Sequence, residues 1–144
     1  MMFYRKKDGA KKSKYHNKKV EYDGISFDSK KEMKRYVFLK DMEDKGVIEN
    51  LERQVRFVLI PSITEDRIVH LKTKDKVVKK TIQLAITYTC DFRYVHDGVT
   101  IVEDIKASPK SAALDHVFLL KEKLFRWRYG FAIKRVYNAE EPIL

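Results

Sequence analysis

Two aspartates and a lysine in this 144-residue chain, Asp91, Asp104 and Lys106, are the residues whose types and spacing could do chemistry. Mg²⁺ prefers a near-octahedral shell of oxygen ligands, taking one or two carboxylates and completing the shell with water and substrate phosphate. Such an ion polarises a phosphodiester and lowers the pKa of a bound water, so that hydroxide is available near neutral pH. A neighbouring lysine would orient that water or stabilise the charge that develops on the phosphate. The three residues therefore predict a Mg²⁺ site for phosphodiester hydrolysis.

A predicted β-hairpin brings the two aspartates together. Segments 87–95 and 99–107 alternate or are β-branched, and Asp97-Gly98 between them is a strong signal for a two-residue turn. Counting back from this turn places Asp91 directly opposite Asp104, and directly opposed residues share a face of the sheet. The lysine two positions further along shares that face because strand side chains alternate with a period of two. Opposed like charges are destabilising, so a compensating cation is expected.

Two further acids are candidate metal ligands. Glu103 points to the other face in this register, but a three-residue loop would set it opposite Asp91 instead, which makes Glu103 the fallback ligand. Glu32 lies near the start of a predicted helix and could reach the site from there, often through water. Its alternative is a capping box, because Ser29-x-x-Glu32 is the pattern in which the glutamate returns a hydrogen bond to the serine backbone.

Structural alternatives also exist for other members of the site. Asp104 and Lys106 are compatible with a cross-strand ladder of salt bridges that Arg93 joins. Gln54 follows the first predicted helix and either approaches the site or faces solvent. The four histidines have no metal-ligand spacing, which argues against a zinc site.

Size and charge limit the possible classes of protein. The length suits one domain with a real core. The 31 Lys and Arg against 21 Asp and Glu give a net charge of +10, which favours a polyanionic partner, nucleic acid before membrane. The alternative is a basic protein that is merely soluble. Cys90 is the single cysteine, so an intrachain disulfide is excluded and a cytoplasmic location is expected.

Basic residues concentrate in two places. Residues 1–19 are predicted to form a flexible basic arm, and the last predicted helix is also basic. These residues either track DNA phosphates or only solubilise the chain. The candidate DNA-binding residues are Lys11, Lys12, Lys14, Lys18 and Lys19 in the arm, and Lys121, Lys123 and Arg126 in the helix.

The pattern along the chain predicts a mixed α/β domain over residues 20–144, with a central β-sheet flanked by helices. For the charged segment 62–80, a solvated hairpin is favoured over a wing that touches DNA. The last helix is expected to turn Val117, Leu120, Leu124 and Trp127 inward. The predicted elements are a helix over 29–45 ended by Gly46, an extended segment 47–60, the hairpin 62–80, strands 81–94 and 99–107, a loop 107–113, a helix 114–129 and a strand 131–137.

This succession resembles the PD-(D/E)xK nuclease superfamily. In that resemblance Glu32 is the helix acid, Asp91 is the first strand acid and Asp104-Ile105-Lys106 is the (D/E)xK triplet. Thr89-Cys90 replaces the proline that usually precedes the first aspartate. More narrowly, the chain is similar to a family of small phage-encoded nucleases through residues 14–19, 22–32, 54, 90–94 and 102–106.

The resemblance covers residues 14–137 and implies a restriction-endonuclease-like fold. It implies an endonuclease that depends on Mg²⁺ or Mn²⁺ and cleaves DNA, with a preference for branched DNA as in phage endonuclease I and Holliday-junction resolvases. The expected setting is phage recombination or DNA processing in the host cytoplasm, and a homodimer is an expectation by the same resemblance. The rival function is a basic nucleic-acid-binding module without catalysis, in which the acidic cluster is structural.

Overall fold

A computed structural model describes residues 18–143, so residues 1–17 and Leu144 lie outside the description. The arm residues Lys11, Lys12 and Lys14 therefore fall outside it, whereas Lys18 and Lys19 open it and are exposed. The elements in chain order are β1 (Val20–Tyr22), β2 (Ile25–Phe27), α1 (Lys30–Asp44), β3 (Glu49–Arg53), β4 (Arg56–Ile60), β5 (Ile63–His70), β6 (Asp75–Gln83), β7 (Ile86–Thr89), β8 (Phe92–His96), β9 (Val99–Ile105), α2 (Pro109–Leu114), α3 (His116–Tyr129) and β10 (Lys134–Val136).

The first helix begins and ends where the sequence predicts. The hydroxyl of Ser29 accepts a hydrogen bond of 3.1 Å from the backbone N–H of Glu32, which satisfies one of the free donors in the first turn. At the other end Gly46 has a φ of 73°, a left-handed conformation that glycine adopts at low cost. The helix predicted over residues 29–45 is therefore confirmed.

A four-stranded sheet in the order β10-β9-β8-β3 forms the centre of the fold. β9 pairs parallel with β10 and antiparallel with β8, and β8 pairs antiparallel with β3. The remaining described strands form two-stranded sheets, β1-β2, β4-β7 and β5-β6. The mixed α/β class is therefore confirmed.

The hairpin of β8 and β9 has the register that the Asp97-Gly98 turn predicts. Its cross-strand partners run from His96 with Val99 to Phe92 with Glu103. Both turn residues have positive φ, 48° and 74°, as a type I′ turn requires. Beyond Phe92 and Glu103 the regular pairing ends: the backbone N–H of Asp91 donates a hydrogen bond of 3.1 Å to the carbonyl oxygen of Glu103, so the predicted direct pair of Asp91 with Asp104 is not part of the ladder, although the two residues lie at the same end of the hairpin.

Hydrophobic clusters cover both faces of the central sheet. On one face Leu39 of α1 packs with Phe92 and Tyr94 of β8. On the other face Phe118 and Phe125 of α3 pack against β7 and β9. Burying an apolar side chain of this size contributes about 1.5–3 kcal/mol, so the two clusters fix both helices on the sheet.

The inward face of the last helix differs from the prediction. Trp127 is 77% exposed, and Val117 and Leu120 are exposed as well, although Leu124 does pack on the core. The buried residues are Phe118 and Phe125, whose rings meet the aromatic cluster around Tyr88. The helix is apolar on more than one side, so spacing alone did not identify the buried stripe.

The segment before this helix is helical, whereas the sequence predicted a loop over residues 107–113. Ser108 accepts a hydrogen bond from the backbone N–H of Ser111, and the Ser111 hydroxyl lies 3.0 Å from the backbone N of Ser108. Pro109 occupies the first turn, where its missing N–H costs nothing. Together they start the short helix α2, which a capping box and an N-terminal proline could have predicted.

The charged segment predicted as a hairpin over 62–80 forms the two-stranded β5-β6 sheet, with a turn at residues 71–74. Nearly all of its residues are exposed. Among residues 18–143, no helix has both the length and the apolar character needed to cross a membrane.

Candidate functional site

The candidate site lies where the chain passes from β3 to β4 and from β7 to β8, at a bend between the β3-β8 and β4-β7 strand pairs. Gln54 separates β3 from β4, and its φ of 51° breaks what the sequence predicted as one extended segment. Its backbone N–H donates a hydrogen bond of 3.1 Å to the carbonyl oxygen of Asp91, which separates β7 from β8. The sequence had placed Asp91 inside a strand, but it lies one residue before β8. Positive φ is unfavourable for glutamine, so its presence marks a constrained position.

Asp91 is a mostly buried carboxylate, and no cation among residues 18–143 forms an ion pair with it. Its Oδ2 accepts a hydrogen bond of 2.6 Å from the backbone N–H of Ile105. Burial, and then the neighbouring charge of Asp104, raise the pKa of Asp91 from 3.8 to about 7. The negative charge of Glu32 raises this pKa further. The hydrogen bond from Ile105 and the positive charge of Lys106 lower this pKa, but by less than burial and the two acids raise it.

Asp104 and Lys106 lie together on the α3 side of the sheet, as the predicted alternation requires. Lys106 Nζ is 3.0 Å from Asp104 Oδ1 and 3.5 Å from Oδ2 of Asp115, and it lies 3.6 Å from the centre of the Phe118 ring. Tyr88, which sequence reasoning missed, donates a hydrogen bond of 2.7 Å from its hydroxyl to Asp104 Oδ2. The aspartate is thus only 8% exposed and held from two sides.

Glu32 enters this region from the first turn of α1. Its Oε1 accepts a hydrogen bond of 3.2 Å from Gln54 Nε2 and lies 3.8 Å from Nη2 of Arg53. The Ser29 half of the capping box is present, whereas the Glu32 carboxylate is turned to Gln54. Burial, and then the charge of Asp28, raise the pKa of Glu32.

Glu103 lies apart from these three acids, on the α1 face of the sheet. Arg35 holds it through two hydrogen bonds, from Nε to Oε2 at 2.9 Å and from Nη2 to Oε1 at 2.5 Å. The Tyr94 hydroxyl donates a further bond of 2.6 Å, and both partners of the ion pair are fully buried. The fallback role of Glu103 as a metal ligand depended on a shifted register, which the observed pairing does not have.

The alternative ladder of salt bridges is present only in part. Asp104 and Lys106 do form an ion pair, but Arg93 pairs with Glu52 on the neighbouring strand. Lys31, which the sequence did not single out, donates from Nζ to the carbonyl oxygens of Lys106 and Ala107 at 3.2 and 2.9 Å. It ties the start of α1 to the end of β9.

The proposed DNA-binding residues of α3 lie away from these contacts. Lys123 and Arg126 are exposed and line a cavity of about 300 Å³ together with Ile133 and Arg135. Lys121 is half-buried, and within residues 18–143 no hydrogen bond or ion pair joins it to the site carboxylates.

A divalent cation needs several oxygen ligands that lie close together. Over the described residues, no three carboxylate, histidine or cysteine side chains are grouped closely enough to hold a metal as placed. Mg²⁺ requires only one or two carboxylates, because water and phosphate complete its shell. Burial and the charge of Asp104 raise the pKa of Asp91, so a divalent cation beside the two carboxylates would stabilise the ionised form of Asp91. Asp91 and Asp104 therefore fit such an ion, with Glu32 as the nearest further acid.

Comparison with known proteins gives the family of this chain. No curated protein and no solved structure matches the sequence. A family described as "Protein of unknown function (DUF1064)" matches residues 12–139, which include the bend, the hairpin of β8 and β9 and every acid discussed above. The chain therefore belongs to the DUF1064 family.

Proposed function

We propose that the protein is a metal-dependent DNA endonuclease with a restriction-endonuclease-like fold. The single observation that carries the proposal is that Lys106 lies 3.0 Å from Asp104 while the Asp91 carboxylate accepts a hydrogen bond from the backbone of Ile105, the residue between them. Burial and the charge of Asp104 raise the pKa of Asp91. Structural acids in a sheet are normally separated or paired with bases, since like charges opposed across strands are destabilising. Perturbed acids of this kind concentrate at functional sites.

Each residue has a role that its contacts support. Asp91 and Asp104 would hold Mg²⁺ or Mn²⁺, and Glu32 would add a ligand directly or through water. The ion, when bound, supplies Lewis acidity and an acidified water. Lys106 Nζ lies 3.0 Å from Asp104 and would donate to a phosphate oxygen or to the attacking water next to the two acids. Gln54 fixes Glu32, and Lys31 fixes the backbone of Lys106.

The net charge of +10 supports a nucleic-acid substrate. The preference for branched DNA, the homodimer and action in the host cytoplasm during phage DNA processing rest on the resemblance of the D…DxK succession alone.

One experiment tests the chemistry. Purified protein is incubated with linear, flapped and four-way DNA, with Mg²⁺, with Mn²⁺ and with a chelator, and cleavage is measured on denaturing gels. We expect cleavage that needs the metal and that Asp91→Asn, Asp104→Asn and Lys106→Met each abolish. Glu32→Gln should also lower turnover severely, because a neutral amide cannot balance the charge of the ion. Asp97→Asn, an exposed change in the hairpin turn, is the matched control.

A second function, a nucleic-acid-binding module without catalysis, is favoured by one observation. Asp104 already has Lys106 and the Tyr88 hydroxyl as partners, which is the arrangement of a structural acid. In that case DNA binds, the DNA stays intact with either metal, and Asp104→Asn leaves binding unchanged.

A further inference from the structure

We propose that the β5–β6 hairpin is an arm that binds duplex DNA through one basic face and its turn. The inference rests on the nucleic-acid substrate proposed above, and it adds where that substrate is held.

The arm stands apart from the rest of the fold. Among the strands of residues 18–143, β5 and β6 pair only with each other and form a sheet of their own. Of their residues only Glu65 and Val78 are half-buried, and the others are exposed. A two-stranded hairpin on its own is only marginally stable in water. A hairpin of this length without a core of its own therefore contributes little to the stability of the fold, which suggests a role in binding.

The charges of the arm are segregated between its two faces. Strand side chains alternate, so the observed cross-strand pairs assign each residue to a face. The basic face carries three cations and one acid: Arg67, Lys76, Lys80 and Glu65. The opposite face carries one cation and two acids: Lys79, Asp66 and Asp75. The turn adds two more cations, Lys72 and Lys74.

Most of the positive charge is free to meet a polyanion. Glu65, the one acid of the basic face, forms an ion pair of 2.7 Å with Arg67 on the same face. Over the described part of the chain, the ion pairs of this hairpin are Glu65 with Arg67 and His70 with Asp75, and neither includes Lys76, Lys80 or the turn lysines. Phosphate contacts of this type position a protein on DNA without reading its sequence.

The dimensions of the arm fit a duplex. Its eight-residue strand β5 spans roughly 26 Å at about 3.3 Å per residue. The major groove of B-DNA is about 12 Å wide and admits a two-stranded ribbon, with phosphates along both rims. On the opposite face the partners Ile68 and Val77 are 63% and 64% exposed, which makes a protein partner the competing occupant.

The test compares two lysines that are close in sequence but lie on different faces. DNA affinity of the full chain is measured against salt concentration in Ca²⁺, with a 30-base-pair duplex as probe. Each lost phosphate contact lowers the slope of log affinity against log salt by roughly 0.9. We expect that decrease for Lys76→Gln and again for Lys80→Gln, and an unchanged slope for Lys79→Gln. Equal slopes for Lys76→Gln and Lys79→Gln would overturn the proposal.

A truncation gives a second, independent measurement. Replacing residues 64–81 by an Asn-Gly turn removes the arm without touching either core cluster. The slope should fall by several phosphate contacts, with the molecular mass in solution unchanged. Loss of an oligomer with an unchanged salt slope would assign the arm to a protein partner and overturn the proposal.

The outcome is separable from that of the nuclease proposal. If the salt slopes depend on the face of the hairpin but the wild-type protein does not cleave DNA in Mg²⁺, the nuclease proposal is refuted and the proposed DNA contact of the β5–β6 hairpin stands. If the protein cleaves DNA but the hairpin variants leave the salt slope unchanged, only the proposed DNA contact of the hairpin is refuted.

Discussion

Gln54 is hydrogen-bonded both to Glu32 and to Asp91, two of the proposed metal ligands. Its side-chain Nε2 donates to Glu32 Oε1 at 3.2 Å, and its backbone N–H donates to the Asp91 carbonyl at 3.1 Å. The left-handed backbone at this position turns the side chain toward α1 while the backbone stays paired with the strand that leads to Asp91. The spacing between Glu32 and Asp91 therefore depends on one backbone conformation.

The first prediction separates the side chain of Gln54 from its backbone. Gln54→Gly preserves the positive φ and the bond to Asp91 but removes the bond to Glu32. A single hydrogen bond is worth about 0.5–1.5 kcal/mol, so divalent-cation affinity should fall roughly 2- to 10-fold. Isothermal titration calorimetry with Mn²⁺ measures this affinity.

The matched control is Asn50→Gly, because Asn50 also has positive φ, 55°, and is exposed on β3. Its cation affinity should equal that of the wild type. If both variants lose affinity equally, the effect comes from backbone flexibility, and Gln54 does not position Glu32.

The second prediction concerns stability of the metal-free protein against pH. Burial and Asp104 raise the pKa of Asp91 from 3.8 to about 7, so the folded state binds more protons than the unfolded state between these values. The stabilising contribution is complete below about pH 4 and is lost as pH rises through 7. The free energy of unfolding should therefore fall with pH by up to about 1.4 kcal/mol per unit in this window.

Urea denaturation in a chelator between pH 4 and pH 8 measures this slope. Asp91→Asn should flatten it, because an amide has no proton to lose. Asp97→Asn, at an exposed turn, should retain the wild-type slope. A wild-type stability that is constant over this range would show that Asp91 ionises normally.

The third prediction links proton release to metal binding. A cation at Asp91 requires the ionised carboxylate, and burial and Asp104 raise the pKa of that group to about 7. Below pH 7 the affinity for Mn²⁺ should therefore rise about tenfold per pH unit at most, and it should level off above pH 7. Titration at pH 6 in two buffers of different ionisation enthalpy should reveal about one released proton. Affinity that is independent of pH between 6 and 8 contradicts this coupling.

Local sequence signals predicted the parts of the site that depend on a turn and on alternation. The Asp97-Gly98 dipeptide fixed the hairpin register, and the register placed Asp104 and Lys106 on one face. The Ser29 cap and Gly46 likewise located the first helix.

The remaining parts depend on tertiary packing. The positive φ of Gln54 is held by contacts with Asp91 and Glu32 that are distant in sequence. Tyr88 lies on β7, which pairs with β4 in a two-stranded sheet separate from the central one, and its hydroxyl reaches Asp104 between the two sheets. On α3, two apolar stripes compete, and the aromatic cluster selects Phe118 and Phe125 for burial over Trp127.

The last prediction separates the two adjacent acids of β9. Glu103→Gln keeps the shape of the side chain but leaves the buried Arg35 without its counter-charge, which typically costs 3–5 kcal/mol. Arg35 also donates to the carbonyl oxygens of Ala139 and Glu141, so the C-terminal segment should loosen with it. Asp104→Asn, one residue further on, should change stability much less, because Tyr88 and the new amide can still hydrogen-bond. Urea denaturation measures both free energies of unfolding.

Cleavage should respond in the opposite order. At a temperature where both variants are folded, Glu103→Gln should retain metal-dependent cleavage within a few-fold, whereas Asp104→Asn should lose it. The double variant Arg35→Met with Glu103→Leu should recover stability, since replacing a buried ion pair by apolar groups is often neutral or stabilising. The opposite result would be a Glu103→Gln variant that has normal stability but no longer cleaves DNA. The ion pair with Arg35 would then be dispensable for folding, whereas the Glu103 carboxylate would be needed for cleavage, and Glu103 would be assigned to the metal site.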